Sequence, residues 1–84
     1  MVSNLQIAPN PFHQQLNIQL SLEQAQDLTI EISNLLGQLV FSQNWETTIG
    51  ENQVTLPLPS LEAGTYLLHL KSDEGVISRK IIKL

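Results

Sequence analysis

Apolar and polar residues alternate with a period of two along most of the chain, and the alternation restarts after each cluster of proline, glycine, asparagine or serine. Such a period is what a strand produces, because successive side chains point to opposite faces of a sheet. Leu5 and Ile7 alternate with Gln6 and Ala8, a short first strand that ends at Pro9-Asn10-Pro11. Two prolines one residue apart remove two backbone donors and hold their neighbours extended, which makes a rigid connection, with Phe12 folding back to cover one end of the core. Leu16, Ile18 and Leu20 against Gln15, Asn17 and Gln19 give a strand with one wet face. Ser21–Ala25 carries a cap-like serine and good helix formers, but strict alternation resumes at Asp27–Ile32, so the segment reads as a bend.

The third strand passes through Leu28, Ile30 and Ile32 and ends at Asn34-Leu35-Leu36-Gly37, where Gly37 can supply a positive φ. Leu39-Val40-Phe41 opens a fourth strand that runs toward Trp45, and Thr48–Asn52 is the next connection. Val54, Leu56 and Leu58 alternate with Thr55 and Pro57; a proline cannot donate to a ladder, so this strand lies at an edge or finishes there. Pro59–Gly64, a stretch in which one helical turn fits, leads to the last pair of runs.

Those runs organise the chain. Tyr66, Leu68 and Leu70 share one face, with Thr65, His69 and Lys71 on the other; after Ser72-Asp73-Glu74-Gly75, Ile77 and Ile81 oppose Val76, Ser78, Lys80 and Ile82. Two alternating runs joined by a short Asp/Gly-bearing turn predict a β-hairpin. The whole chain, residues 1–84, is therefore expected to be one all-β domain, a sandwich of about seven short antiparallel strands. Its inward set is Leu5 or Ile7, Leu16, Ile18, Leu20, Leu28, Ile30, Ile32, Phe41, Val54, Leu56, Tyr66, Leu68 and Leu70, joined by one alternating set of the last strand.

Composition sharpens this picture in two places. Charged residues are 14% of the 84-residue chain against 42% hydrophobic, which argues for a folded domain, and the absence of cysteine excludes a disulfide scaffold and thiolate chemistry. Glu23, Asp27, Glu31, Glu46, Glu51 and Glu62 precede Lys71 with no lysine or arginine among them, whereas Lys71, Arg79, Lys80 and Lys83 face only Asp73 and Glu74. The terminal hairpin is thus the one basic feature, either blunting a sheet edge or meeting an acidic partner. No apolar run approaches the ~20 residues of a membrane span, and Met1-Val2-Ser3-Asn4 lacks the features of a signal peptide; Met1 is as readily an expression start as a natural beginning.

Reactive constellations are not found. His13 and His69 stand without cysteine and without paired carboxylates, so no metal and no cofactor is expected. No serine lies in a nucleophile elbow, and Gly37, Gly50, Gly64 and Gly75 are too far apart to cradle phosphate. Four basic residues under a net charge of −4 do not suit nucleic acid. Trp45, if exposed, could stack on a sugar; at the end of a strand it more often packs on the core.

Ile7-Ala8-Pro9-Asn10-Pro11-Phe12, Ile30–Gln38, Leu61-Glu62-Ala63-Gly64-Thr65-Tyr66 and Gly75–Lys83 stand in an order and spacing that resemble the C-terminal sorting domain of the type IX (Por) secretion system of Bacteroidetes-type bacteria. The resemblance runs from about Ile7 to Lys83. It implies an immunoglobulin-like β-sandwich that is not an enzyme and that directs a cargo protein, N-terminal to it in the precursor, through the outer-membrane translocon. The implied partners are the translocon and shuttle proteins and a cysteine sortase that cuts the domain off; the cargo is left secreted or at the cell surface. Pro9, Asn10 and Pro11 match the proline-flanked asparagine, Gly37 the turn glycine, Gly64 and Tyr66 the pair opening the penultimate strand, and Lys80 and Lys83 the basic positions of the last one. Ala8 departs from an often aromatic position, and Leu84 follows the last matched residue.

A signal read as a folded shape needs an exposed terminal strand that a partner can grip through main-chain hydrogen bonds and a few side chains. Lys80, Ile81, Ile82 and Lys83 are the residues expected to mark that surface, while Pro9, Asn10, Pro11, Gly37, Gly64 and Tyr66 serve the fold. Two alternatives stand beside this one. A carbohydrate-binding or fibronectin-like accessory module requires Trp45 or Tyr66 to be solvent-exposed, and a structural spacer requires the chain to continue after Leu84.

Overall fold

Each alternating run becomes a strand in the computed structural model, which describes residues 2–84; Met1 and its reading as an expression start lie outside them. The strands are β1 (Val2–Ala8), β2 (Gln15–Leu22), β3 (Asp27–Asn34), β4 (Leu39–Glu46), β5 (Gly50–Pro57), β6 (Gly64–Ser72) and β7 (Gly75–Lys83). They form two antiparallel sheets in the orders β1-β2-β5 and β4-β3-β6-β7. This is an all-β sandwich of the immunoglobulin-like kind, with β4 paired to β3 and not to β5.

Several boundaries differ from the sequence reading. Ser21 and Leu22, read as the start of a bend, continue β2, where they pair with Glu51 and Gly50. β1 begins at Val2 because Val2 and Ser3 pair with Leu22 and Ser21, although the register breaks before Gln6 and Asn4 sits at φ 54°. An edge strand needs no clean alternation, and asparagine tolerates that left-handed conformation, so the sequence carries little sign of the extension. Gly50 and Asn52 belong to β5, opposite Leu22 and Leu20, and not to a connection. The stretch before β6 makes turns and bends with no helical turn.

The inward faces of the two sheets close on each other. Phe12, Leu16, Ile18, Ile30, Ile32, Leu56 and Ile81 are completely covered, and Leu20, Leu28, Leu68 and Leu70 nearly so. Phe41 and Val54, expected inside, are only partly buried and pack against the rim of that cluster, as do Leu5, Ile7 and Ile77. Leu22 and Leu58 join the core although neither was in the expected set. Full burial of one aliphatic or aromatic side chain contributes about 1.5–3 kcal/mol, which gives this interior the means to hold a chain with no disulfide.

Both ends of the sandwich are tied by polar side chains. At one end the Gln26 N–H donates to Thr47 Oγ1 (3.0 Å), and Asn52 Nδ2 donates to the carbonyls of Thr48 (2.9 Å) and Gly50 (3.1 Å). At the other, Tyr66 Oη donates to the Glu62 carbonyl at 2.6 Å, four residues upstream. A tyrosine that opens a strand and bonds back to the preceding connection is the tyrosine corner of immunoglobulin-like sandwiches. It explains the placing of glycine and tyrosine in Leu61–Tyr66: the loop must turn, and the ring must fall inward while its hydroxyl reaches main chain.

Candidate functional site

The terminal hairpin is built by nine register pairs, from Ser72 opposite Gly75 to Gly64 opposite Lys83. This register sets the faces of β7. Ile81 lies across from Tyr66 and is completely buried, and Ile77 lies across from Leu70 and is half-buried. Lys80 and Ile82, opposite Leu67 and Thr65, stand on the outer face of the four-stranded sheet, Lys80 exposed and Ile82 half-buried. Of the four residues expected to mark a partner surface, Ile81 is thereby corrected to a core residue. Parity decides it: of two adjacent isoleucines, only one can point inward.

The outer edge of β7 is the second correction. Asn10 Nδ2 donates to the Lys80 carbonyl at 3.1 Å, and the Ile82 N–H donates to Asn10 Oδ1 at 3.0 Å. Two residues on, the Phe12 N–H donates to the Ile82 carbonyl (2.9 Å) and the Leu84 N–H to the Phe12 carbonyl (2.8 Å), with Phe12 bridging Lys83 in parallel. The connection after β1 therefore lies along β7 as a short surrogate strand, its first position supplied by a side-chain amide. The outer-edge groups from the Lys80 carbonyl to the Leu84 N–H, expected to be open for a partner, are already bonded within the chain. Ala8-Pro9 and Asn10-Pro11 are both cis peptides. Prolines on both sides of Asn10 remove competing donors, and Phe12 anchors the segment from inside the core.

The charges of the hairpin are unevenly satisfied. Lys71 Nζ lies 2.7 Å from Glu31 Oε1. Arg79 donates to the Ser78 carbonyl (2.9 Å) and Lys83 to the Leu84 main-chain oxygen (3.0 Å), and among the described residues no carboxylate pairs with Arg79 or Lys80. His69 Nδ1 and Ser78 Oγ share a hydrogen bond of 2.8 Å across the strands.

The remaining residues fall where turn chemistry puts them. Gly37, at φ 86°, closes the turn between β3 and β4, in which Asn34 Oδ1 accepts the N–H groups of Leu36 (3.0 Å) and Gln38 (2.9 Å). Gly64 opens β6 opposite Lys83. Trp45 and Tyr66 are 8% and 7% exposed, so neither offers the open ring that a sugar-stacking module needs. An open groove of about 600 Å³ between the Asn34–Gln38 turn and the connection before β6 has Glu62 as its carboxylate and no histidine or lysine in its lining. Among the described residues no group of three His, Cys, Asp or Glu side chains could hold a metal ion, and no helix is long and apolar enough to cross a membrane. Sequence reasoning missed Asn10 as a partner of β7; the one signal was an amide isolated between two prolines.

Comparison with known proteins adds three findings. A family model described as the secretion system C-terminal sorting domain matches residues 6–84. No curated protein sequence matches the chain. Among solved structures, a β-glucosidase from Erythrobacter marinus is similar over 100% of this chain and 15% of its own, at TM-score 0.65 and 11% identity. A β-glucosidase from Listeria innocua in complex with glucose is similar over 99% of this chain and 16% of its own, at TM-score 0.55 and 13% identity. The chain thus spans about a sixth of those enzymes, and identity this low shows a shared fold alone.

Proposed function

The chain belongs to the secretion system C-terminal sorting domain family, and from that premise we propose that export machinery reads it through the side chains of its terminal strand, Lys80, Ile82 and Lys83. A domain of this family is the C-terminal signal that sorts cargo into type IX secretion, leaving the cargo secreted or attached to the cell surface by way of the outer membrane. The family is one of signals and not of catalysts. In the reading put forward here, residues 1–84 act as a unit, the cargo lies N-terminal to them, translocon or shuttle proteins bind the terminal hairpin, and a cysteine sortase cuts ahead of the domain.

The observation that carries the proposal is the unpaired cation. Lys71 is neutralised by Glu31, whereas Lys80 projects from the outer face with no carboxylate in reach among the described residues. A charge left open in this way steers encounter with an acidic partner and selects against basic ones. The strand order places Val2, paired with Leu22, at the end of the sandwich opposite to Lys83, paired with Gly64. Attached cargo and bound machinery would then occupy different ends.

The test is a periplasm-directed reporter fused to residues 1–84 in a bacterium with this secretion system. Lys80→Glu with Lys83→Glu should lower export roughly tenfold, the loss of about 1.4 kcal/mol of partner affinity, with an unchanged melting temperature. Wild-type export by the double variant would sink the terminal-strand reading, and a wild-type fusion that stays in the periplasm would sink the sorting role.

A further inference from the structure

The outer face of the four-stranded sheet is divided in two. Register carries one row from Ser42 through Glu31 and His69 to Ser78, and the next from Asn44 through Thr29 and Lys71 to Val76. In these rows the polar groups are engaged with one another: Glu31 with Lys71, His69 with Ser78, and Thr29 with Asn44. Toward the end where β7 finishes, the row reads Leu39, Ser33, Leu67, Lys80, and beyond it Thr65 lies opposite Ile82. Leu39 is 52% exposed, Leu67 and Ile82 are half-buried, and Lys80 has no carboxylate partner among the described residues. One half of the face is therefore mainly polar, with most of its polar groups bonded to one another and Val76 exposed at its edge, and the other gathers Leu39, Leu67 and Ile82 with a free cation at its margin.

Beside this patch the edge is shut. Outward-facing groups on β7 belong to the even-numbered residues, since Ile82 N–H and the carbonyls of Lys80 and Ile82 bond away from β6. The Asn10–Phe12 segment occupies them from the Lys80 carbonyl to the Leu84 N–H, and a strand added there by a partner would first have to displace four hydrogen bonds and the buried Phe12 ring.

We propose that the partner meets this face side chain to side chain and does not add a strand to β7. The docking surface is the row Leu39, Ser33, Leu67 and Lys80 with Thr65 and Ile82 beside it. What fits it is a protein surface that is apolar and carries a carboxylate opposite Lys80. Charge complementarity selects that occupant: an apolar patch with an unpaired lysine at its margin penalises any partner that cannot neutralise it. The proposal rests on the terminal-strand reading and adds where and how contact is made.

Two measurements test it. In the purified chain, amide exchange of Ile82 is compared with that of Ser78, whose N–H faces the same way beyond the reach of Asn10. Ile82 should exchange at least roughly a hundredfold more slowly, and Asn10→Ala should remove the difference. In the export assay, Leu67→Gln and Leu39→Gln, each confirmed folded by its melt, should each reduce secretion roughly tenfold. Ser78→Pro removes an outward N–H at the edge together with the hydroxyl bonded to His69, so Ser78→Ala is its control, and both should leave secretion at the wild-type level.

Ile82 exchanging as fast as Ser78 would overturn the closed edge. Folded Ser78→Pro that is no longer exported beside an exported Ser78→Ala would show that the edge is used, and wild-type export by both glutamine variants would show that the face is not. A dimer in light scattering that Leu67→Gln dissolves would make the occupant a second copy and overturn the proposal. A fusion whose wild-type form is not exported condemns the sorting role instead, so the two failures are separable.

Discussion

Two residues show what alternation can and cannot say about a single side chain. Tyr66 was legible as inward-facing because it keeps step with Leu68 and Leu70, and it is buried. Its hydroxyl partner, the Glu62 carbonyl, was not legible, since a bond back across a turn has no period. Tyr66→Phe keeps the ring and orphans that carbonyl, so it should cost about 0.5–1.5 kcal/mol and lower the melting midpoint by roughly 4–8 °C per kcal/mol, with export unchanged. Thermal melts of the two proteins check the first part and the reporter assay the second. Ile81 and Ile82 are the converse. Their faces were assigned correctly relative to each other, but which face looks inward is set by the pairing of Tyr66 with Ile81.

At the level of elements, the turn at Asn34–Gly37 was legible, whereas the connections that proved to be strand, Ser21–Leu22 and Gly50–Asn52, and the contacts distant in sequence were not. Asn34-Leu35-Leu36-Gly37 was placed from its residue types, and the structure gives the reason: the Asn34 side chain holds two N–H groups, and Gly37 N–H donates to the Asn34 carbonyl at 3.0 Å. Gly37 at φ 86° has nothing within 4 Å of where a Cβ would stand, so Gly37→Ala suffers conformational cost alone. It should destabilise by about 1–2 kcal/mol in urea unfolding and leave the slope of the transition unchanged. A much larger loss would mean that the turn does more than reverse the chain. Asn10 reaches Lys80 and Ile82 across about seventy residues of sequence. No local pattern can announce a bond of that span; only the folded sandwich brings the connection after β1 to the edge of β7.

At the scale of the molecule, a two-sheet sandwich has four edges, and the chain treats them differently. β1 is broken in register, β5 ends in Pro57, and β7 is covered by the Asn10–Phe12 segment, while β4 carries an irregularity near Leu39. Such devices restrain edge-to-edge association. The same closure makes the last residues structural as well as informative. Removing Ile81–Leu84 would take away a completely buried isoleucine, the Ile82 carbonyl that holds Phe12, and the Ile82 and Leu84 donors. Loss of one such core side chain alone costs about 2–5 kcal/mol, against a total of about 5–15 kcal/mol for a native domain. A chain ending at Lys80 should therefore melt at least roughly 20 °C lower, or show no cooperative transition at all. Failure of that truncated signal to export its cargo would report unfolding and not the loss of a recognition sequence. Circular dichroism melts of the truncated chain beside Ile81→Ala and Lys80→Glu separate the two. The first two should lose stability and the third should not, and a truncated chain as stable as the full one would show that the last strand is held less tightly than its burial and hydrogen bonds require.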